Sequence, residues 1–114
     1  MKHLFIVFCL CTLSLTLHCE ETITIVRGEG NYFPVEYVEN GKLTGLHIDL
    51  IRAVADELNL IIEFESLPWN RGIFDFKQGK YDAMSHLSRT EEREEFAHFL
   101  KGSIISSAKT YPIV

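Results

Sequence analysis

The chain has 114 residues, with 16 acidic and 11 basic side chains and a formal charge of −5. That length suits one small domain, and an apolar content of 46% is enough to give it a hydrophobic core. An acidic balance without a basic patch argues against a nucleic-acid partner.

Charge and hydrophobicity are unevenly spread. Lys2 and His3 form a short basic start, and Leu4 to Leu17 is apolar apart from Thr12, Ser14 and Thr16. This run is shorter than the roughly 20 residues of a spanning helix. It has the form of a secretory signal peptide over residues 1–19, with cleavage near Cys19. The expected location is therefore periplasmic or secreted. The alternatives are an uncleaved anchor and a lipid attached at Cys19, although Thr16-Leu17-His18 is a poor lipoprotein box. Cys9, Cys11 and Cys19 all lie in this segment. Residues 20–114, the expected folded domain, hold no thiol and must fold without a disulfide.

Thr22 to Arg27 is rich in β-branched residues and predicts a first strand. Gly28-Glu29-Gly30-Asn31 breaks it. Phe33 to Val38 and Lys42 to Thr44 flank Asn40-Gly41, a strong hairpin-turn pair. Over 47–59 the spacing of Ile48, Ile51, Val54, Ala55 and Leu58 predicts a helix with one apolar face, stopped by Asn59. Ile61 to Leu67 predicts a second strand, in which Ile62 and Phe64 alternate with Glu63 and Glu65. A second helix is expected over 69–78, with Trp69, Ile73 and Phe76 on one stripe and Gly79 closing it. A third strand is expected over 81–87, a helical turn over 90–96 and a fourth strand over 103–107.

Strand, helix, strand, helix, strand implies an α/β fold: a parallel sheet with right-handed crossovers and flanking helices. Ligands of such sheets bind beyond the carboxyl ends of the strands, where strand order reverses. With the first strand central, the loops Gly28 to Phe33 and His86 to Thr90 converge there.

Ser88-Arg89-Thr90-Glu91-Glu92-Arg93 is the most informative segment. Thr90 is a good N-cap, and Glu91 and Glu92 suit the positive end of a helix dipole. Arg93 does not suit it. At the sheet's carboxyl edge its guanidinium, beside free backbone N–H groups, would receive a carboxylate through paired hydrogen bonds; the alternative is an ion pair with nearby glutamates. Tyr32, Phe33 and Trp69 are aromatics that either cover a ligand or fill the core. Asp49 and Asp82 read as structural, and Arg71 faces either the cleft rim or solvent. No catalytic residue, metal set or cofactor is expected. His47, His86 and His98 lack tight metal-ligand spacing, Asp82, His86 and Ser88 are too close on one strand to form a triad, and no phosphate-binding glycine loop occurs.

In order along the chain stand Phe33-Pro34-Val35-Glu36-Tyr37, Asn40-Gly41-Lys42-Leu43, Gly45-Leu46-His47-Ile48-Asp49-Leu50, Leu67-Pro68-Trp69-Asn70-Arg71, Gly79-Lys80-Tyr81-Asp82-Ala83 and Thr90-Glu91-Glu92-Arg93. This series resembles the family 3 extracellular solute-binding proteins, the polar amino-acid type. The resemblance implies lobe 1 of a type II periplasmic binding protein, incomplete here because the second lobe is absent, so that the chain is a fragment or a truncated relative. It implies no enzyme activity, an amino acid or similar small carboxylate as ligand, and an ABC-type membrane permease as partner. Arg93 would bind the α-carboxylate. Thr90 and the backbone near Leu87 and Ser88 would hold the ligand's polar groups, and Tyr32 or Phe33 would cover it. Two other roles are compatible with the fold: the sensing domain of a membrane receptor kinase, and a periplasmic dehydratase or transglycosylase-type enzyme with Glu29 or His86 as acid or base.

Overall fold

The computed structural model describes residues 20–102. The expected signal peptide and the expected strand over 103–107 lie outside them. Among the described residues no helix is long and apolar enough to cross a membrane.

The elements run β1 (Glu21–Gly28), β2 (Tyr37–Glu39), β3 (Lys42–Thr44), α1 (Leu46–Leu58), β4 (Leu60–Leu67), α2 (Trp69–Lys77), β5 (Ala83–Met84) and α3 (Glu91–Glu94). The main sheet has the order β4-β1-β5 with all neighbours parallel. β1 is central, the condition under which the loops Gly28 to Phe33 and His86 to Thr90 converge. Its register with β4 runs from Glu21 opposite Leu60 to Gly28 opposite Leu67. The chain leaves β1 on one side to reach β4, then crosses back over it to reach β5. Right-handed crossovers in opposite directions place α1 and α2 on opposite faces of the sheet.

β2 and β3 form the hairpin, with Asn40 (φ 51°) and Gly41 (φ 75°) as the turn pair. Positive φ at both central residues is the turn that matches strand twist. Asn59 ends α1 in the left-handed conformation, and its N–H bonds back to the carbonyls of Ala55 and Asp56. Gly45 precedes α1 at φ 123°, against the Val35 carbonyl. A side chain there would collide with backbone, so only glycine fits.

Two expectations need correction. The strand expected over 81–87 shrinks to Ala83–Met84. Asp82 turns in to accept hydrogen bonds from the N–H and hydroxyl of Thr24, at 2.8 and 2.7 Å. His86 at φ 128° then diverts the chain from β1. The apolar face of α1 is also narrower than its spacing predicts. Ile48 and Ala55 are buried, whereas Val54 and Leu58 stand exposed on a flank with Leu46 and Leu50. α1 packs on β4, the edge strand, so its apolar stripe overhangs the sheet. The described core centres on Ile25, Val26, Ile48 and Ala55.

Candidate functional site

β1, β4 and β5 all point their carboxyl ends at one edge, and the polar residues gather there. By strand alternation Arg27 shares the face of Ile23 and Ile25, yet it is 1% exposed. Each of its three nitrogens donates once: Nε to Glu36 Oε2 at 3.3 Å, one terminal nitrogen to Ser66 Oγ at 3.0 Å, and the other to the Gly30 carbonyl at 2.6 Å. Glu36, also 1% exposed, accepts from Ser85 Oγ on the same Oε2 at 3.2 Å. Paired in this way, a buried carboxylate and guanidinium satisfy most of each other's needs.

A tight loop delivers Glu36. Its N–H bonds to the Tyr32 carbonyl, the Tyr32 N–H bonds back to the Glu36 carbonyl, and the Phe33–Pro34 peptide between them is cis. The same loop accepts the first N–H groups of α1, from Leu46 to Pro34 and from His47 to Val35. That contact sets buried His47 beside Glu36, with Nδ1 at 3.6 Å from Oε1. His86 joins them after β5. Its ring lies 5.7 Å from that of His47 and 5.7 Å from Tyr32, with which it stacks.

Above this floor is a cavity of about 240 Å³ lined by Gly28, Tyr32, Glu36, Trp69, His86, Ser88 and Arg93. It is smaller than the roughly 300–1,000 Å³ of a complete small-molecule pocket. Four of the seven residues expected at the site line it: Tyr32, Trp69, Ser88 and Arg93. Trp69 opens α2 and lies against Gly28, where a Cβ would come within 3.3 Å of the indole. The Arg93 guanidinium sits 5.9 Å from the centre of a Trp69 ring, within cation–π range, and donates to the Ser88 carbonyl at 2.9 Å. Of the two arginines in this segment, the one that pairs with a glutamate is Arg89, to Glu94.

The other three expected residues sit elsewhere. Thr90 caps α3, its hydroxyl accepting from the Arg93 N–H at 3.3 Å. That backbone amide is therefore occupied, and the guanidinium is the part of Arg93 that lines the cavity. Leu87 lines a neighbouring, wider hollow with Phe76, Ala97 and Phe99. Phe33 points outward, 76% exposed, and packs on Tyr37. Arg71, placed by its sequence at the rim or in solvent, pairs with Asp75 at 2.6 Å. That bond, followed by the one from Lys80, holds the Asp75 carboxyl below the usual carboxylate range.

The sequence reading missed Arg27, Glu36 and the meeting of His47 with His86. Parity along β1 was the available signal for Arg27. The other three lie far apart in the chain and meet only through the fold.

Against known proteins, the sequence profile of the bacterial extracellular solute-binding proteins, family 3, matches residues 24–111. A probable amino-acid-binding protein of Bacillus subtilis is 30% identical over 83 residues, covering 72% of this chain and 31% of that protein. A probable amino-acid ABC transporter-binding protein of Haemophilus influenzae is 33% identical over 69 residues, covering 59% of this chain and 27% of that protein. Among solved structures, the L-cystine solute receptor of Neisseria gonorrhoeae in its unliganded open conformation aligns at 33% identity and TM-score 0.58, over 67% of this chain and 33% of the receptor. A polar amino-acid uptake binding protein of Streptococcus thermophilus aligns at 28% identity and TM-score 0.62, over 70% of this chain and 31% of that one. The chain thus spans about a third of the length of these relatives, and its sheet and flanking helices are those of a type II periplasmic-binding-protein lobe. Profile, relatives and fold agree: this chain belongs to the bacterial extracellular solute-binding proteins, family 3.

Proposed function

We propose that the chain forms part of an extracytoplasmic binding protein that takes up an amino acid or similar small carboxylate and presents it to an ABC-type permease. The carrying observation is Arg93. Its guanidinium lines the cavity at the sheet's carboxyl edge, over Trp69, with no carboxylate partner among the described residues. A fork of N–H donors beside an indole face suits a small zwitterion, with the carboxylate on the guanidinium and the carbon skeleton on the aromatic surface. Tyr32 lines the same cavity, and Ser88 supplies polar atoms near the head group, while Thr90 caps the helix that carries Arg93. The names of the relatives support the solute class, since they are binding proteins for amino acids, not enzymes.

Calorimetric titration of the full-length protein with the common amino acids tests this reading. Saturable binding of at least one, weakened about a hundredfold or more in Arg93→Ala, is expected from the loss of paired charge-assisted hydrogen bonds. Absence of heat with every amino acid and related carboxylate would overturn it.

A further inference from the structure

We propose that Glu36, His47 and His86 form a binding site for a divalent transition-metal ion, zinc in the first instance, at the floor of the cavity. This site stands apart from the amino-acid reading and does not depend on it. One ligand atom from each residue can be chosen so that all three lie within 4.8 Å of one another. Glu36 and His47 are both more than nine-tenths buried, and Glu36 carries a polar atom without a hydrogen-bond partner, Oε1, the atom that stands beside His47 Nδ1. An unpartnered buried acceptor is costly in an apolar interior and normally has a partner.

Two imidazoles and one carboxylate suit zinc, cobalt or nickel better than magnesium or calcium, which take oxygen sets. Tetrahedral zinc at about 2.0–2.2 Å from its ligands needs ligand atoms about 3.4 Å apart. Glu36 Oε1 and His47 Nδ1 already stand 3.6 Å apart. His86 is the exposed member, and rotation of its side chain is the movement that closes the set. The outer contacts suit a ligand carboxylate. Arg27 and Ser85 both bond Oε2, which fixes the group and leaves Oε1 toward the imidazoles. A fourth position would open into the cavity, toward water or an anionic solute.

The test uses the full-length chain stripped by chelator, with zinc titrated by calorimetry and cobalt followed by visible absorption, in the absence of any amino acid. The expected result is one saturable site with a cobalt spectrum of low coordination number, weakened at least about tenfold in His86→Ala and in His47→Gln. His86 is exposed, so His86→Ala remains informative if the buried variant fails to fold. Absence of saturable binding, or wild-type affinity in His86→Ala, would overturn the proposal. Because no amino acid is present, neither outcome bears on the role of Arg93.

Discussion

Arg27 and Glu36 meet inside the carboxyl end of the sheet, Nε to Oε2 at 3.3 Å, with both side chains closed off from solvent. The pair ties β1 to the loop that precedes the hairpin, and through Ser66 and Ser85 it reaches the ends of β4 and β5. Removing one charge strands the other. Glu36→Ala is expected to destabilise the chain by about 3–5 kcal/mol, whereas replacing both partners with apolar residues (Arg27→Met with Glu36→Leu) should recover a large part of that loss. Urea unfolding of Arg27→Met, Glu36→Leu and their double variant measures the coupling. Purely additive losses would show that the two residues act separately.

Gly45 holds the turn that sets His47 beside Glu36. Its φ of 123° and its approach to the Val35 carbonyl leave no room for a side chain. Gly45→Ala should cost about 2–4 kcal/mol through strain and displaced backbone. Gly41 has open space around its Cβ position, so Gly41→Ala should cost less, through its φ alone. Thermal melts of the two variants rank them, and an equal loss in both would contradict this account of Gly45.

Two carboxylates make stability acid-sensitive. The backbone N–H of Thr24, then its hydroxyl, hold the Asp82 carboxyl below its ordinary value of 3.8. Arg71, then Lys80, do the same for Asp75. A carboxyl whose folded value is depressed stabilises the fold fully above its unfolded value, and this contribution is lost as pH falls through the folded value. Stability should thus be level above about pH 5 and decline below the ordinary aspartate value. Asp82→Asn should be the less stable protein near pH 6 and lose less on acidification to about pH 3. Parallel urea midpoints at the two pH values check this. An equal acid loss in variant and wild type would remove Asp82 from the explanation.

The fold was readable in the sequence where local chemistry decides it. A β-branched run marked β1, the alternation of Ile62 and Phe64 with Glu63 and Glu65 marked β4, the Asn40-Gly41 pair marked the hairpin, and Asn59 marked the end of α1. Predictions weakened where tertiary contact overrides pattern. The strand expected over 81–87 is cut short because Asp82 bonds back to Thr24 and His86 turns away. Val54 and Leu58 fit a helical stripe by spacing, but among the described residues no strand covers them and they stand exposed. Arg93 drew attention in the sequence because a cation in the first turn of a helix opposes the dipole, and the structure sets it beside Trp69 at the cavity. The direction of Phe33 was not legible because an aromatic beside proline looks the same in sequence whether it turns in or out; it stands exposed beside Tyr37. The cluster of Glu36, His47 and His86 was hidden because its members are separated by 11 and 39 positions and meet through the Tyr32–Glu36 loop and the end of β5.

The central claim is that Arg93, and not its neighbour Arg89, receives the solute's carboxylate. Arg89 pairs with Glu94 and is not among the residues lining the cavity with Trp69, whereas Arg93 is and lies over the indole. The most direct test is to titrate the tightest-binding amino acid into the full-length protein carrying Arg93→Ala or Arg89→Ala. The account predicts about a hundredfold or greater loss for Arg93→Ala and affinity within a few-fold of wild type for Arg89→Ala. Equal losses in both variants, or undiminished affinity in Arg93→Ala, would contradict it.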